Sequence, residues 1–181
     1  METSKSGADE RSVLFAGKHL NLCTVGPWEY VERKKVSGIV AIVAISDAGE
    51  MILVEQFRPP LGKRVIEIPA GLAGDIAGSE DEVLEAAARR ELLEETGFEA
   101  SDMRYLTEGP PSAGLSTELV TFFRASDLKK VGPGAGDGSE EIEVHTVPLR
   151  GLPAWLKEKQ ASGYLIDYKI YAALYFAQGG T

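Results

Sequence analysis

Hydrophobic periodicity divides the chain into short strands and a few amphipathic helices. Val13-Leu14-Phe15, Leu20 to Val25 and Trp28 to Val31 read as three successive strands, with turns near Gly17 and Gly26-Pro27. The run Gly38-Ile39-Val40-Ala41-Ile42-Val43-Ala44-Ile45 is almost wholly apolar, which predicts a strand buried on both faces. Asp47-Ala48-Gly49-Glu50 reads as a turn and Met51 to Phe57 as the returning strand, so the two are expected to form a hairpin. Val65 to Pro69 is a further strand leading into the glycine-rich loop from Gly71 to Gly78. Ser79-Glu80-Asp81-Glu82 fits a capping box that opens the main helix, and Gly97 fits its stop. Met103 to Glu108 and Leu119 to Ala125 read as strands flanking a Pro/Gly loop, Gly132 to Ser139 as a mobile loop, and Ile142 to Val147 as an alternating strand. Leu152 to Lys159 and Ile166 to Phe176 read as helices, the second with Ile166, Ile170 and Leu174 facing a core. Mixed strands with two or three helices predict an α/β sandwich.

Composition narrows the function classes. A chain of 181 residues with 44% hydrophobic and 26% charged positions predicts one soluble domain with a substantial core. A net charge of −9 argues against nucleic acid as the main partner, since phosphate backbones require a basic face. It does not exclude a small phosphorylated substrate, because metal ions can bridge two anionic parties. The polar start, residues 1–11, is expected to be disordered and is no signal peptide. No stretch approaches the ~18 apolar residues of a membrane span, and Cys23 has no partner for an internal disulfide, so a cytoplasmic protein is expected.

The segment Arg90-Glu91-Leu92-Leu93-Glu94-Glu95-Thr96-Gly97-Phe98 carries the chemistry. At ~100° per residue, Glu91, Glu94 and Glu95 share one arc near the C-terminal, negative end of the helix. Val83, Leu84, Ala87 and Ala88 lie on the same arc, so this is no solvated polar face. Crowded anions there need a cation. Arg90 supplies some charge and Arg89 points largely to the other side, so a divalent metal answers the need better. Mg²⁺ takes one or two carboxylates plus substrate phosphates, and Glu91 and Glu95, one turn apart, suit it, with Glu94 alongside.

Glu82, then seven residues, then Arg90, Glu91, Leu92, Glu94, Glu95, Gly97 and Phe98 resembles the signature of the Nudix hydrolases, and of their ADP-ribose pyrophosphatase branch in particular. The signature's opening glycine would stand at Ile76; Gly71 takes that part, which implies about five extra residues in the loop. The resemblance implies a Nudix fold: a mixed β-sheet sandwiched between α-helices over residues 37–178, with an N-terminal antiparallel strand extension over 12–36. It also implies that Glu91, Glu95 and Glu94, with the Ala70 carbonyl, bind Mg²⁺ (Mn²⁺ as a substitute), and that Arg90 orients the glutamates. Glu82 is read as structural, helping to fix Arg90. Ser139-Glu140-Glu141-Ile142-Glu143-Val144-His145 resembles the segment carrying that branch's general base; Glu140 is the first choice and Glu141 its rival. His145 and His19 read as ordinary strand residues.

Further stretches extend the likeness. Val54-Glu55-Gln56-Phe57-Arg58-Pro59 implies that Arg58 meets a substrate phosphate. Ser112-Ala113-Gly114-Leu115-Ser116-Thr117-Glu118 implies a site role for Glu118, although Ala113 stands where the branch has a proline tied to ADP-ribose preference. Trp28 and Tyr30 could stack a base and Arg33 meet a phosphate or base edge, or all could be dimer packing; Arg64 is a weaker candidate. The expected activity is hydrolysis of the pyrophosphate of a nucleoside diphosphate sugar such as ADP-ribose or GDP-mannose, by a homodimer. The alternatives are a Nudix hydrolase of dinucleotides or nucleoside triphosphates, and a non-hydrolytic ADP-ribose sensor.

Overall fold

The structure, a computed structural model, describes residues 10–76, 78–134 and 141–180. Residues 1–9, and with them most of the segment expected to be disordered, lie outside the described residues. Arg11 is ion-paired with Glu32. The first element is a three-stranded antiparallel meander of β1 (Ser12–Ala16), β2 (Leu20–Val25) and β3 (Trp28–Arg33). Val13, Leu14, Phe15 and Trp28 are exposed on it, while Cys23 is buried. Backbone bonds tie β3 to the rest of the molecule: the Val31 N–H donates to the Leu115 carbonyl (2.8 Å) and the Thr117 N–H to the Val31 carbonyl (3.2 Å). That tie delivers Arg33 to the region described below.

Two four-stranded sheets follow. One runs β7 (Ala70–Ala73), β4 (Gly38–Ala44), β9 (Val120–Lys130), β8 (Phe98–Gly109), and the other β10 (Ile142–Pro148), β5 (Glu50–Arg58), β6 (Lys63–Glu67), β11 (Leu165–Ile166). The β4 run is apolar throughout because both its faces are covered. Ala41 and Val43 pack with Met51, Leu53, Phe122 and the helices α2 (Leu152–Ala161) and α3 (Lys169–Ala177). Val40, Ile42 and Ala44 pack on the other side with Ala87, Ala88 and Leu92 of α1 (Leu84–Thr96). Period-two alternation thus sends the strand's side chains into two cores.

Three local expectations are corrected. The turn after β4 forms, with the Gly49 N–H on the Ser46 carbonyl (2.9 Å), yet β4 and β5 make only one bridge, Ile45 to Met51. β4 has β7 on one edge over Gly38–Ala41 and β9 on the other over Ile39–Ala44, while β5 pairs along its length with β6 and β10. Turn chemistry is local, and strand partners are settled by which edges tertiary packing leaves free. The capping box is also absent: α1 begins at Leu84 without a side-chain cap, because Glu82 turns to Arg90 and the Gly74 N–H instead. Finally, Ile166 is in β11, parallel to Ile66, and the next helix starts only at Lys169, where Asp167 Oδ1 accepts the Lys169 N–H (2.8 Å). Ile170, Ala173 and Phe176 form its buried face.

Candidate active site

α1 lies across β7, β4 and β8, and its last turns pass the start of β7. Gly97 ends it at φ +69°, its N–H on the Leu93 carbonyl (2.8 Å), a conformation that a side chain there would strain. Glu95 is buried at this end and accepts the Ala70 N–H at 3.1 Å, which links the helix to the strand start. Glu91 is also nearly covered, at 12% side-chain exposure, whereas Glu94 is 42% exposed. Gly71 lies so close to Glu91 that a Cβ at that position would overlap the carboxylate. The glycine is needed for this approach.

Arg90 knits the carboxylates together. Its Nε and Nη2 donate to Glu82 at 3.1 and 3.0 Å, and Nη2 also reaches the Leu72 carbonyl at 2.8 Å. Nη1 donates to Glu91 (2.9 Å) and Glu94 (3.1 Å), and Asp75 approaches Nη2 at 3.6 Å. One guanidinium therefore faces four carboxylates. The Glu82 bond raises Arg90 above the ordinary arginine value, and the same bond holds Glu82 below the ordinary carboxylate value. Burial pushes Glu91 up to about 7, outweighing the pull of Arg90, with Glu94 and Asp75 pushing the same way.

These groups open on a cleft of about 600 Å³. Ala70, Gly71, Asp75, Arg90, Glu91, Glu94 and Glu95 line it, as do Arg33, Arg58, Glu118 and Lys169. Each of those cations is held by a carboxylate: Arg33 by Glu118 (2.7 Å), Arg58 by Glu67 (2.6 Å) and Lys169 by Asp167. The cleft thus brings together Ala70, Glu91, Glu94, Glu95, Arg90, Arg58, Arg33 and Glu118. Trp28 and Tyr30 are not among its lining residues; Trp28 is 60% exposed, near Gly114. Glu140 lies outside the described residues, and Glu141 is exposed, its carboxylate 3.9 Å from Arg64. Asp75 and Lys169 were missed from sequence. Nothing local in the sequence marks either residue: Asp75 reaches Arg90 and Lys169 reaches the cleft only in the folded chain.

A second acidic group, Glu55, Glu143 and His145, stands elsewhere, on β5 and β10. Here Glu55 already accepts from Arg64 Nε (2.5 Å), Lys159 Nζ (2.9 Å) and His145 Nε2 (3.0 Å). His145 is therefore part of a buried polar network. That carboxylate is bonded by three cationic or neutral donors of its own, whereas Glu91 shares one guanidinium with Glu82, Glu94 and Asp75. The donor set of hard carboxylate oxygens, with Glu91 cradled against a glycine, could hold a divalent metal at Glu91, Glu94 and Glu95.

Comparison with known proteins places the chain in a family. A family model described as a NUDIX domain matches residues 36–172, and the chain belongs to that family. It is a Nudix hydrolase with the α/β Nudix fold. Among its relatives, the ADP-ribose pyrophosphatase of Bacillus subtilis (strain 168) is 34% identical over 166 residues, covering 86% of this chain and 87% of its own. The methanol dehydrogenase activator of Bacillus methanolicus is 34% identical over 142 residues, covering 78% of this chain and 72% of its own. A solved structure described as an ADP compounds hydrolase superposes with a TM-score of 0.71 at 21% identity, covering 95% of each chain, which supports the fold.

Proposed function

We propose that the protein is a Mg²⁺-dependent pyrophosphatase of nucleoside diphosphate sugars, with ADP-ribose the leading substrate and a nucleoside monophosphate and a sugar phosphate as products. The observation that carries this reading is the cleft itself, where buried carboxylates and pre-held cations line one groove of diphosphate-accommodating size. The name of the Bacillus subtilis relative supports the choice of substrate.

Glu91, Glu95 and Glu94, with the Ala70 carbonyl, would hold the metal (Mn²⁺ as a substitute), which would supply charge neutralisation at phosphorus and a more acidic water. Arg90 fixes Glu91 and Glu94 in place through Nη1, while its other arm stays on Glu82 and the Leu72 carbonyl. Arg58 and Arg33 bind phosphoryl oxygens or the ribose edge, each already oriented by its carboxylate, so little ordering cost falls on binding. Glu118 holds Arg33 and contacts the sugar side. Glu140 takes the proton of the attacking water, with Glu141 as the rival base. Trp28 and Tyr30, carried on the N-terminal sheet, supply a stacking surface to a second copy in a homodimer. The exposed Phe15, Leu14 and Trp28 are the apolar surface that this pairing would cover. The enzyme works in the cytoplasm.

A substrate panel tests the reading. Purified protein with Mg²⁺ is given ADP-ribose, GDP-mannose, diadenosine and nucleoside triphosphate substrates separately, and products are resolved by chromatography. Fastest turnover of ADP-ribose, giving AMP and ribose 5-phosphate, is expected. Preferred cleavage of a nucleoside triphosphate, or tight ADP-ribose binding without any turnover, would overturn it.

A further inference from the structure

Among the described residues, Lys169 is the one lysine that lines the cleft. It is the first residue of α3, which is anchored to the core through Ile170, Ala173 and Phe176. Its position is fixed twice by Asp167. Oδ1 of that carboxylate accepts the Lys169 backbone N–H at 2.8 Å, and Oδ2 accepts from its ammonium. Asp167 is itself pinned, its own N–H donating to the Ile66 carbonyl at 2.9 Å on the strand beside it. A lysine ammonium carries three donors, and the bond to Asp167 uses one.

The neighbourhood explains why a cation is kept here. Glu67 ends β6, next to the β11 strand that leads into Asp167. Its carboxylate is pushed up by burial, pulled down by Arg58, which bonds it, pushed up by Asp167 and pulled down by Lys169. Two carboxylates and two cations therefore sit within mutual reach, and both cations line the cleft. Carboxylates behind and cations in front make a surface that presents positive charge while the wall stays neutral. Such a surface receives an anion without the cost of first assembling it.

We propose that Lys169 is a substrate-contacting residue that, beside Arg58, grips a phosphoryl oxygen of the diphosphate in the cleft that Glu91 and Glu95 also line. The identity of the full substrate rests on the proposed function; the anion contact itself does not. A compact ammonium suits one oxygen of a tetrahedral phosphoryl group, whereas Arg58 can offer a planar fork, so the two cations serve different oxygens.

Isothermal titration of inorganic pyrophosphate and of ADP-ribose without metal, on wild type, Lys169→Met and Lys169→Arg, separates the possibilities. Steady-state kinetics and thermal melts accompany the titrations. Lys169→Met is expected to weaken pyrophosphate binding about tenfold or more and raise KM for the substrate to match, with kcat changed by no more than about threefold. Lys169→Arg recovers most of the affinity, and both variants melt within about 3 °C of wild type. A role limited to anchoring α3 would lower the melting temperature and leave the pyrophosphate Kd unmoved, which overturns the proposal. If wild type cleaves ADP-ribose and Lys169→Met binds it equally well, the contact is wrong and the activity stands. If pyrophosphate binding falls in Lys169→Met but no nucleoside diphosphate sugar is cleaved by wild type, the contact stands and the substrate assignment fails. Wild type that binds neither compound removes both.

Discussion

Replacing Gly71 by alanine should separate activity from stability, because the new methyl group meets only the end of one functional side chain. Its three nearest neighbours are the Cδ and the two carboxylate oxygens of Glu91, all of which it would overlap. Backbone strain is not at issue here, since Gly71 does not have the positive φ seen at Gly74 or Gly97. Glu91 must swing away, which breaks the 2.9 Å bond from Arg90 Nη1. A hydrogen bond to a charged group contributes about 1.5–3 kcal/mol, and Arg90 keeps Glu82 and the Leu72 carbonyl as partners, so the loss lies at the low end. Against it stand about 0.4–1 kcal/mol from the less flexible unfolded chain, and release of a carboxylate that burial disfavours. The net effect on folding is about 1 kcal/mol, a melting shift of a few degrees. The effect on function is larger, because the carboxylate is displaced from the position that would share the metal with Glu95. Mg²⁺ affinity, followed by titration calorimetry, should fall about tenfold or more, and kcat/KM about a hundredfold or more. A Gly71→Ala protein with Mg²⁺ affinity and turnover within about threefold of wild type would refute the link between this glycine and the glutamate.

Other consequences can be measured alongside. Arg90→Lys keeps the charge but loses the fork that spans Glu82, Glu91, Glu94 and the Leu72 carbonyl, so activity should drop about ten- to a hundredfold with Mg²⁺ affinity; equal drops in Arg90→Lys and Arg90→Met would point to geometry, and full activity in the lysine variant would contradict it. For Glu55, burial pushes the carboxyl up, but bonds from Lys159, His145 and Arg64 more than offset it and hold it at about 2. Its folded value is thus depressed from 4.5, so its contribution to stability is present above pH 4.5 and lost as pH falls towards about 2. The shift corresponds to about 3 kcal/mol, and Glu55→Gln should lose most of that at pH 7 yet approach wild type in urea melts at low pH; a difference independent of pH would reject the assignment. Glu140→Gln and Glu141→Gln decide the base: the true one loses about a hundredfold or more in kcat with little change in KM, and a loss confined to Glu141→Gln reassigns the role.

Much of the architecture was legible because it depends on chemistry that acts over a few residues. The Gly38–Ile45 run announced a strand covered on both faces, and it is the strand that separates the two cores. The spacing of Glu91, Glu94 and Glu95 announced a crowded acidic arc, and the structure gives its physical content: one arginine for four carboxylates and a glycine cleared for Glu91. What failed to show was decided by partners distant in sequence. The β4–β5 turn was read correctly, but the edges of β4 were claimed by β7 and β9, the latter some eighty residues away. Ser79 to Glu82 has the composition of a cap, yet Glu82 gains more from a two-pronged bond to Arg90 than from the helix end. Lys169 was invisible for the same reason: a lysine opening an apolar helix has no meaning until β11 pairs with β6 and brings Asp167 beside Glu67. The signature helix can be recognised alone, because its carboxylates are neighbours in sequence. The rest of the lining is drawn from β3, β5, the loop before β9 and α3, and its charges become a site only when the sheets have closed. Substrate choice should therefore reside mainly in those residues, where variants of Arg33, Arg58 or Glu118 shift the ratio of kcat/KM between ADP-ribose and GDP-mannose, while changes at Glu91 or Glu95 lower both together.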